Sequence, residues 1–115
     1  MAEKIYFRKF GVMIDCSRNA VMNVSAFKKM VNILSSLGYN TVRLYTEDTY
    51  EVDGEPYFGY LRGRYTKAEL REMDEYAAER GVELIPCIQT LAHLGAIFRY
   101  VEYGKIKDID DILLV

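Results

Sequence analysis

Long apolar runs are missing from this chain. The longest uninterrupted ones hold about four residues, where a membrane-spanning helix needs about 20, so no membrane partner is expected. No glycine-rich phosphate loop is present either: neither G-x-G-x-x-G nor a Walker pattern occurs. That argues strongly against a nucleotide ligand. There is one histidine, and the two cysteines lie far apart, so no zinc-type spacing exists and no metal or other cofactor is expected. The net charge is only −2, with acidic and basic residues interspersed, which argues against nucleic acid as a partner. The segment from Met1 to Phe10 lacks the apolar core of a signal peptide. A cytoplasmic location is the default expectation.

What is there is an ordinary globular balance, half apolar and 28% charged, in 115 residues, at most one domain's worth of material. Gly11-Val-Met-Ile-Asp15 reads as a strand buried on both faces. Asn23 or Ser25 can cap a helix over Ala26 to Leu37, with Phe27, Met30, Val31, Leu34 and Leu37 at helical spacing. Gly38 is its expected stop. A second strand covers Thr41 to Tyr45. Thr66-Lys-Ala-Glu69 is a capping box opening a second helix that carries Leu70, Met73, Tyr76 and Ala77 inward and ends before Gly81. Val82-Glu-Leu-Ile-Pro86 is the third strand, with Pro86 placed at its end because it has no N–H for the ladder. Leu91 to Tyr103 reads as a third helical stretch, weakened at Gly95 and ended by Gly104. The tail Ile109 to Val115 is apolar at its last residues.

Strands alternating with helices imply a parallel α/β sheet with right-handed crossovers. Three such strands fall well short of a closed (β/α)8 barrel, which takes about 200–250 residues. The chain therefore reads as the opening three β/α units of a barrel. Cys16 and Cys87 fall at the ends of the first and third strands, two strand spacings or roughly 9–10 Å apart. That is too far for an unstrained disulfide, so free thiols are expected. With helices on one side only, the other sheet face is left bare, and a homo-oligomer through that face is expected.

Parallel α/β folds bind ligands at the carboxyl ends of their strands. Polar groups gather there: Asp15 with Arg18, then Glu47 and Asp48, then Gln89 and His93. The long loop from Tyr45 to Tyr65 adds carboxylates, aromatics and arginines, a mixture suited to a polyhydroxylated ligand such as a sugar. An arginine fork donates to vicinal hydroxyls or to a carboxylate, and adjacent carboxylates orient a histidine. Plainer readings exist for each group. Asp15 and Arg18 can cap the next segment or pair together, Glu47-Asp48 can be a solvated turn, His93 a structural histidine, and the loop aromatics a satellite core. Joint placement on one rim carries the functional reading.

Gly11-Val-Met-Ile-Asp-Cys-Ser-Arg18 resembles the first barrel strand of glycoside hydrolase family 20, the β-N-acetylhexosaminidases. Tyr45-Thr-Glu-Asp48 resembles that family's second-strand acidic pair. Arg80-Gly-Val-Glu-Leu-Ile-Pro86 and Gln89-Thr-Leu-Ala-His93 resemble its third strand and strand-end histidine, and the wording Tyr-Thr-Glu-Asp-Thr-Tyr is closest to a bacterial subgroup. The resemblance implies retaining hydrolysis of terminal N-acetylglucosamine or N-acetylgalactosamine, assisted by the substrate's own acetamido oxygen rather than by a carboxylate nucleophile. It also implies that Arg18, beside Asp15, binds the sugar's outer hydroxyls, and that His93 with Glu47 or Asp48 forms a supporting relay.

The sequence departs from the family in three places. Glu47 stands where Asp is common, and Gln89 where an Asp often lies. No Asp-Glu pair follows His93; the only one is Asp74-Glu75, inside the second helix. The expectation is an N-terminal fragment, 1–115, of a family-20-like catalytic domain, inactive alone because its general acid is absent. The alternatives are a non-catalytic carbohydrate-binding or assembly module and, more weakly, a small α/β regulatory domain.

Overall fold

A computed structural model describes residues 7–18 and 21–113. Most of the segment read for a signal peptide, and the last two residues of the apolar tail, lie outside the described residues. The order is β1 (Gly11–Asp15), α1 (Val24–Ser36), β2 (Thr41–Thr46), α2 (Lys67–Ala78), β3 (Glu83–Ile88), α3 (Gly95–Phe98), a 3-10 turn (Val101–Tyr103), β4 (Lys107–Ile109) and β5 (Ile112–Leu113). The first three strands form a parallel sheet in the order β1-β2-β3.

The local signals work as physical devices. Asn23, not Ser25, caps α1, its side-chain oxygen accepting from the Ala26 amide. That places the first turn two residues ahead of the expected start. Thr66 and Glu69 close the capping box reciprocally at the head of α2. The Gly38 and Tyr39 amides donate to Ser35 and Leu34 at the end of α1, satisfying carbonyls that would otherwise lack partners. Phe27, Val31, Leu34, Met73 and Ala77 from the helices meet Val42 and Leu44 from β2 in one core. Each of these side chains except that of Ala77 contributes about 1.5–3 kcal/mol through the apolar area it withdraws from water. Leu37 does not join them; it is exposed at the end of α1.

Both helices lie on one side of the sheet. In β1 only Val12 and Ile14 pack on the core, while Met13 is 61% exposed. The expectation of a strand buried on both faces is thus corrected: among the described residues no layer covers the other side, and burial alternates along the strand. The helix-free face carries the row Met13, Arg43, Ile85.

The third strand runs two residues past its expected end, and Pro86 lies inside it, opposite Leu44. The edge position explains this. The Glu83 and Gln89 amides point toward β2, so every second residue donates inward and Pro86 falls on the open side, where no N–H is needed. On the helix side, a cavity of about 440 Å3 lies against Leu70, Leu84, Pro86 and Ile88.

The expected helix from Leu91 to Tyr103 is also corrected. His93 has φ of 60°, which no α-helix accommodates, and Tyr100 is extended, so only Gly95–Phe98 forms an α-turn before the 3-10 turn. The tail folds back on itself as the β4–β5 hairpin. The amides of Leu94 and Leu113 tie it to this segment by donating to Asp111 and Leu91 carbonyls.

Candidate functional site

Asp15 closes β1, Glu47 and Asp48 follow β2, and Gln89 follows β3, so parallel pairing sets all of them along one rim. Arg18 is the residue that joins the strand ends. Its Nη2 lies 3.5 Å from Glu47 Oε1 and 3.4 Å from His93 Nδ1. Glu47 is 2% exposed, and the Tyr45 hydroxyl donates to the same Oε1 at 3.3 Å. A carboxylate so buried needs a countercharge and donors, and Arg18 provides the charge. The Arg18 side chain is itself 60% exposed, which leaves part of its five-donor fork free for a ligand.

His93 sits in the coil before α3 rather than on a helix, and its left-handed backbone costs about 1–2 kcal/mol. A guanidinium can only donate, so the Arg18 contact uses His93 Nδ1 as its acceptor. Asp111, in the β4–β5 turn, approaches Nδ1 at 3.9 Å. It was not foreseen, because nothing in the sequence announces that the tail doubles back.

Asp15 does something more local. Its Oδ1 accepts from the Ser17 amide at 2.7 Å and the Ser17 hydroxyl at 2.6 Å. These two bonds, the hydroxyl's first, hold its carboxyl below the usual range. Among the described residues it forms no hydrogen bond or ion pair with Arg18; it shapes the turn from which Arg18 departs.

Asp48, 1% exposed, is met by a residue that the sequence reading did not single out. Arg62 Nε donates to its two oxygens at 3.2 and 3.3 Å, and Arg62 Nη2 donates to the Ser17 carbonyl. The only sequence signal was an arginine between two glycines in a loop beside an acidic pair.

The long loop is closed at its base by a parallel bridge between Tyr50 and Tyr65. Its aromatics divide. Phe58 packs on Tyr50 and against the small core of Leu94, Ile97, Phe98 and Tyr103, as a satellite core would. Tyr57 and Tyr60 remain about half exposed against Tyr100. Beneath the loop lies a cavity of about 460 Å3, lined by Glu47, Gln89 and Thr90 from the strand ends and by Tyr50, Phe58 and Tyr103. Burial, with the Glu55 carboxylate beside it, pushes the Tyr103 phenol up to about 12, so it stays protonated at ordinary pH. Both cysteines are free thiols, and burial pushes the Cys16 thiol up.

The family described as "Glycosyl hydrolase family 20, catalytic domain" matches residues 7–111. The chain belongs to glycoside hydrolase family 20. Similar proteins include a β-hexosaminidase of Vibrio furnissii, 28% identical over 81% of this chain and 19% of that protein. Another is the β-hexosaminidase subunit beta of Entamoeba histolytica, 28% identical over 90% of this chain and 20% of that one. A chitooligosaccharidolytic β-N-acetylglucosaminidase of Bombyx mori is 27% identical over 74% and 16%. The chain thus spans a fifth or less of the length of these relatives.

Among solved structures, a family-20 β-N-acetylhexosaminidase from Streptomyces coelicolor A3(2) superimposes with a TM-score of 0.76 at 24% identity, over 90% of this chain and 23% of that one. A catalytic module of the pneumococcal exo-β-D-N-acetylglucosaminidase gives 0.69 at 22% identity, over 90% and 34%. At such identity these likenesses show the fold. The three parallel strands with their helices are a partial family-20 (β/α)8 barrel, as the sequence implied.

Proposed function

We propose that this chain forms one wall of the sugar pocket of a β-N-acetylhexosaminidase, an enzyme that removes terminal β-linked N-acetylglucosamine or N-acetylgalactosamine with retention. In the substrate-assisted reaction the acetamido oxygen attacks the anomeric carbon while an acid protonates the departing oxygen. In this reading Arg18 donates to the outer hydroxyls of the sugar. Glu47 and His93 form the supporting relay, with Asp48 behind them. The observation that carries the reading is the junction of three strand ends at one guanidinium, Arg18 against Glu47 and His93. The hexosaminidase names of the relatives support the substrate class.

The Asp-Glu pair that the family resemblance implies for the leaving group is not found at the site. Beyond His93 there is no Asp-Glu pair, and Asp74-Glu75 is exposed on α2. We therefore read residues 1–115 as the N-terminal part of a longer catalytic domain, inactive alone. A chromogenic N-acetylglucosaminide incubated with the purified chain should be hydrolysed at the uncatalysed rate. Turnover that disappears with Arg18→Ala would show that an acid is present and overturn this reading. We also propose that a second copy covers the helix-free face bearing Met13 and Ile85. Sedimentation should then show an oligomer, and a compact monomer at high concentration would refute it.

A further inference from the structure

We propose that Arg62 is a positioning residue that straps the loop after β1 to the loop after β2 and so fixes the direction in which Arg18 is presented. One guanidinium engages two targets: Nε serves both oxygens of buried Asp48, and Nη2 serves the carbonyl of Ser17, itself 1% exposed. Arg18 is the next residue. Ser17 is consequently held from two sides, its amide and hydroxyl by Asp15 and its carbonyl by Arg62. A backbone clamped at both its donor and its acceptor has little freedom to swing the side chain that follows.

The loop backbone gives independent support. Gly59, Leu61 and Gly63 have φ of 67°, 58° and 68°, three left-handed residues within five positions. Leu61 is strained, yet its side chain is 85% exposed and packs on almost nothing. Such a turn is not held for Leu61's own contacts; it is held for what it delivers, and the next residue is Arg62. The Gly59 backbone is pressed so closely on the Asp48 carbonyl that a Cβ there would lie 2.0 Å from the oxygen. A lysine at position 62 would neutralise Asp48 equally well, but a compact ammonium cannot reproduce the planar fork that reaches Ser17 as well. The geometry therefore separates charge balance from strapping.

The consequence for sugar binding rests on the function proposed above, so the test reads the strap and the sugar separately. In the 115-residue chain, 15N relaxation should show the Arg18 amide as rigid as the strands. In Arg62→Lys it should show an order parameter falling from about 0.85 toward 0.6, with the thermal transition kept. Titration with N-acetylglucosamine should weaken about tenfold in the same variant, through lost preorganisation. An Arg18 amide equally rigid in both proteins overturns the proposal. Loosening of Arg18 where neither protein binds the sugar supports the strap and defeats the sugar reading instead. Should Arg62→Lys not fold, Asp48→Asn, which removes the charge that anchors Arg62, decides the matter: a mobile Arg18 amide supports the strap and a rigid one overturns it.

Discussion

Gly59→Ala is expected to lower the thermal midpoint of this chain by about 10 °C or more, as a loss of about 2–5 kcal/mol would in a domain of this size. Two costs combine. A side chain at φ of 67° is in the left-handed region, which costs an L-residue about 1–2 kcal/mol. The new methyl would also overlap the Asp48 carbonyl at 2.0 Å, and relieving such overpacking typically costs about 1–3 kcal/mol. The carbonyl cannot yield freely, because Asp48 lies only two residues past the end of β2 and its carboxylate is pinned by Arg62. Gly54→Ala is the control. It has a comparable φ of 81° but open space around it, so only the conformational cost applies. Equal midpoints for the two variants would refute the close approach.

Phe27→Ala should have a still larger effect. Phe27 is fully buried where α1 meets the sheet and α2, among Val31, Val42, Leu44 and Met73. Removing such a ring costs about 3–5 kcal/mol, because the cavity collapses only partly. Natural domains hold about 5–15 kcal/mol in all, and this sheet has helices on one face only. Far-UV circular dichroism should therefore show the variant largely unfolded or melting at a far lower temperature. Met73→Leu, which conserves volume, should lose less than about 1.5 kcal/mol. A Phe27→Ala transition coinciding with that of the parent would mean that the core lies elsewhere.

The parts of this fold that rest on local physics were readable in the sequence. The spacing of Phe27, Val31 and Leu34 needs only helical periodicity, and the Thr66–Glu69 box needs only four residues. The parallel order of β1, β2 and β3 follows from their alternation with helices. What escaped depends on distant partners. Arg62 finds the carbonyl of Ser17 across 45 residues, and no local pattern encodes such a meeting. The apolar spacing between Leu91 and Tyr103 is helical, yet the left-handed turn at His93 and the tail hairpin docked on Leu91 and Leu94 divide it. Proline chemistry alone predicts a strand end at Pro86, whereas an edge strand accepts a proline wherever its N–H would face outward. The candidate site was legible as a group: Arg18, Glu47 and His93 do meet. Asp15 stands apart from them as the turn that sets Arg18, and Asp48 is tied by Arg62 to the Ser17 carbonyl.

The most direct trial of the whole account is a nuclear magnetic resonance titration of this polypeptide with N-acetylglucosamine. Shift changes should concentrate at Arg18, Glu47 and His93 and vanish in Arg18→Ala. Saturable changes confined to the outer surface of α1 and α2 around Asn32 and Glu72, or none at all, would contradict it.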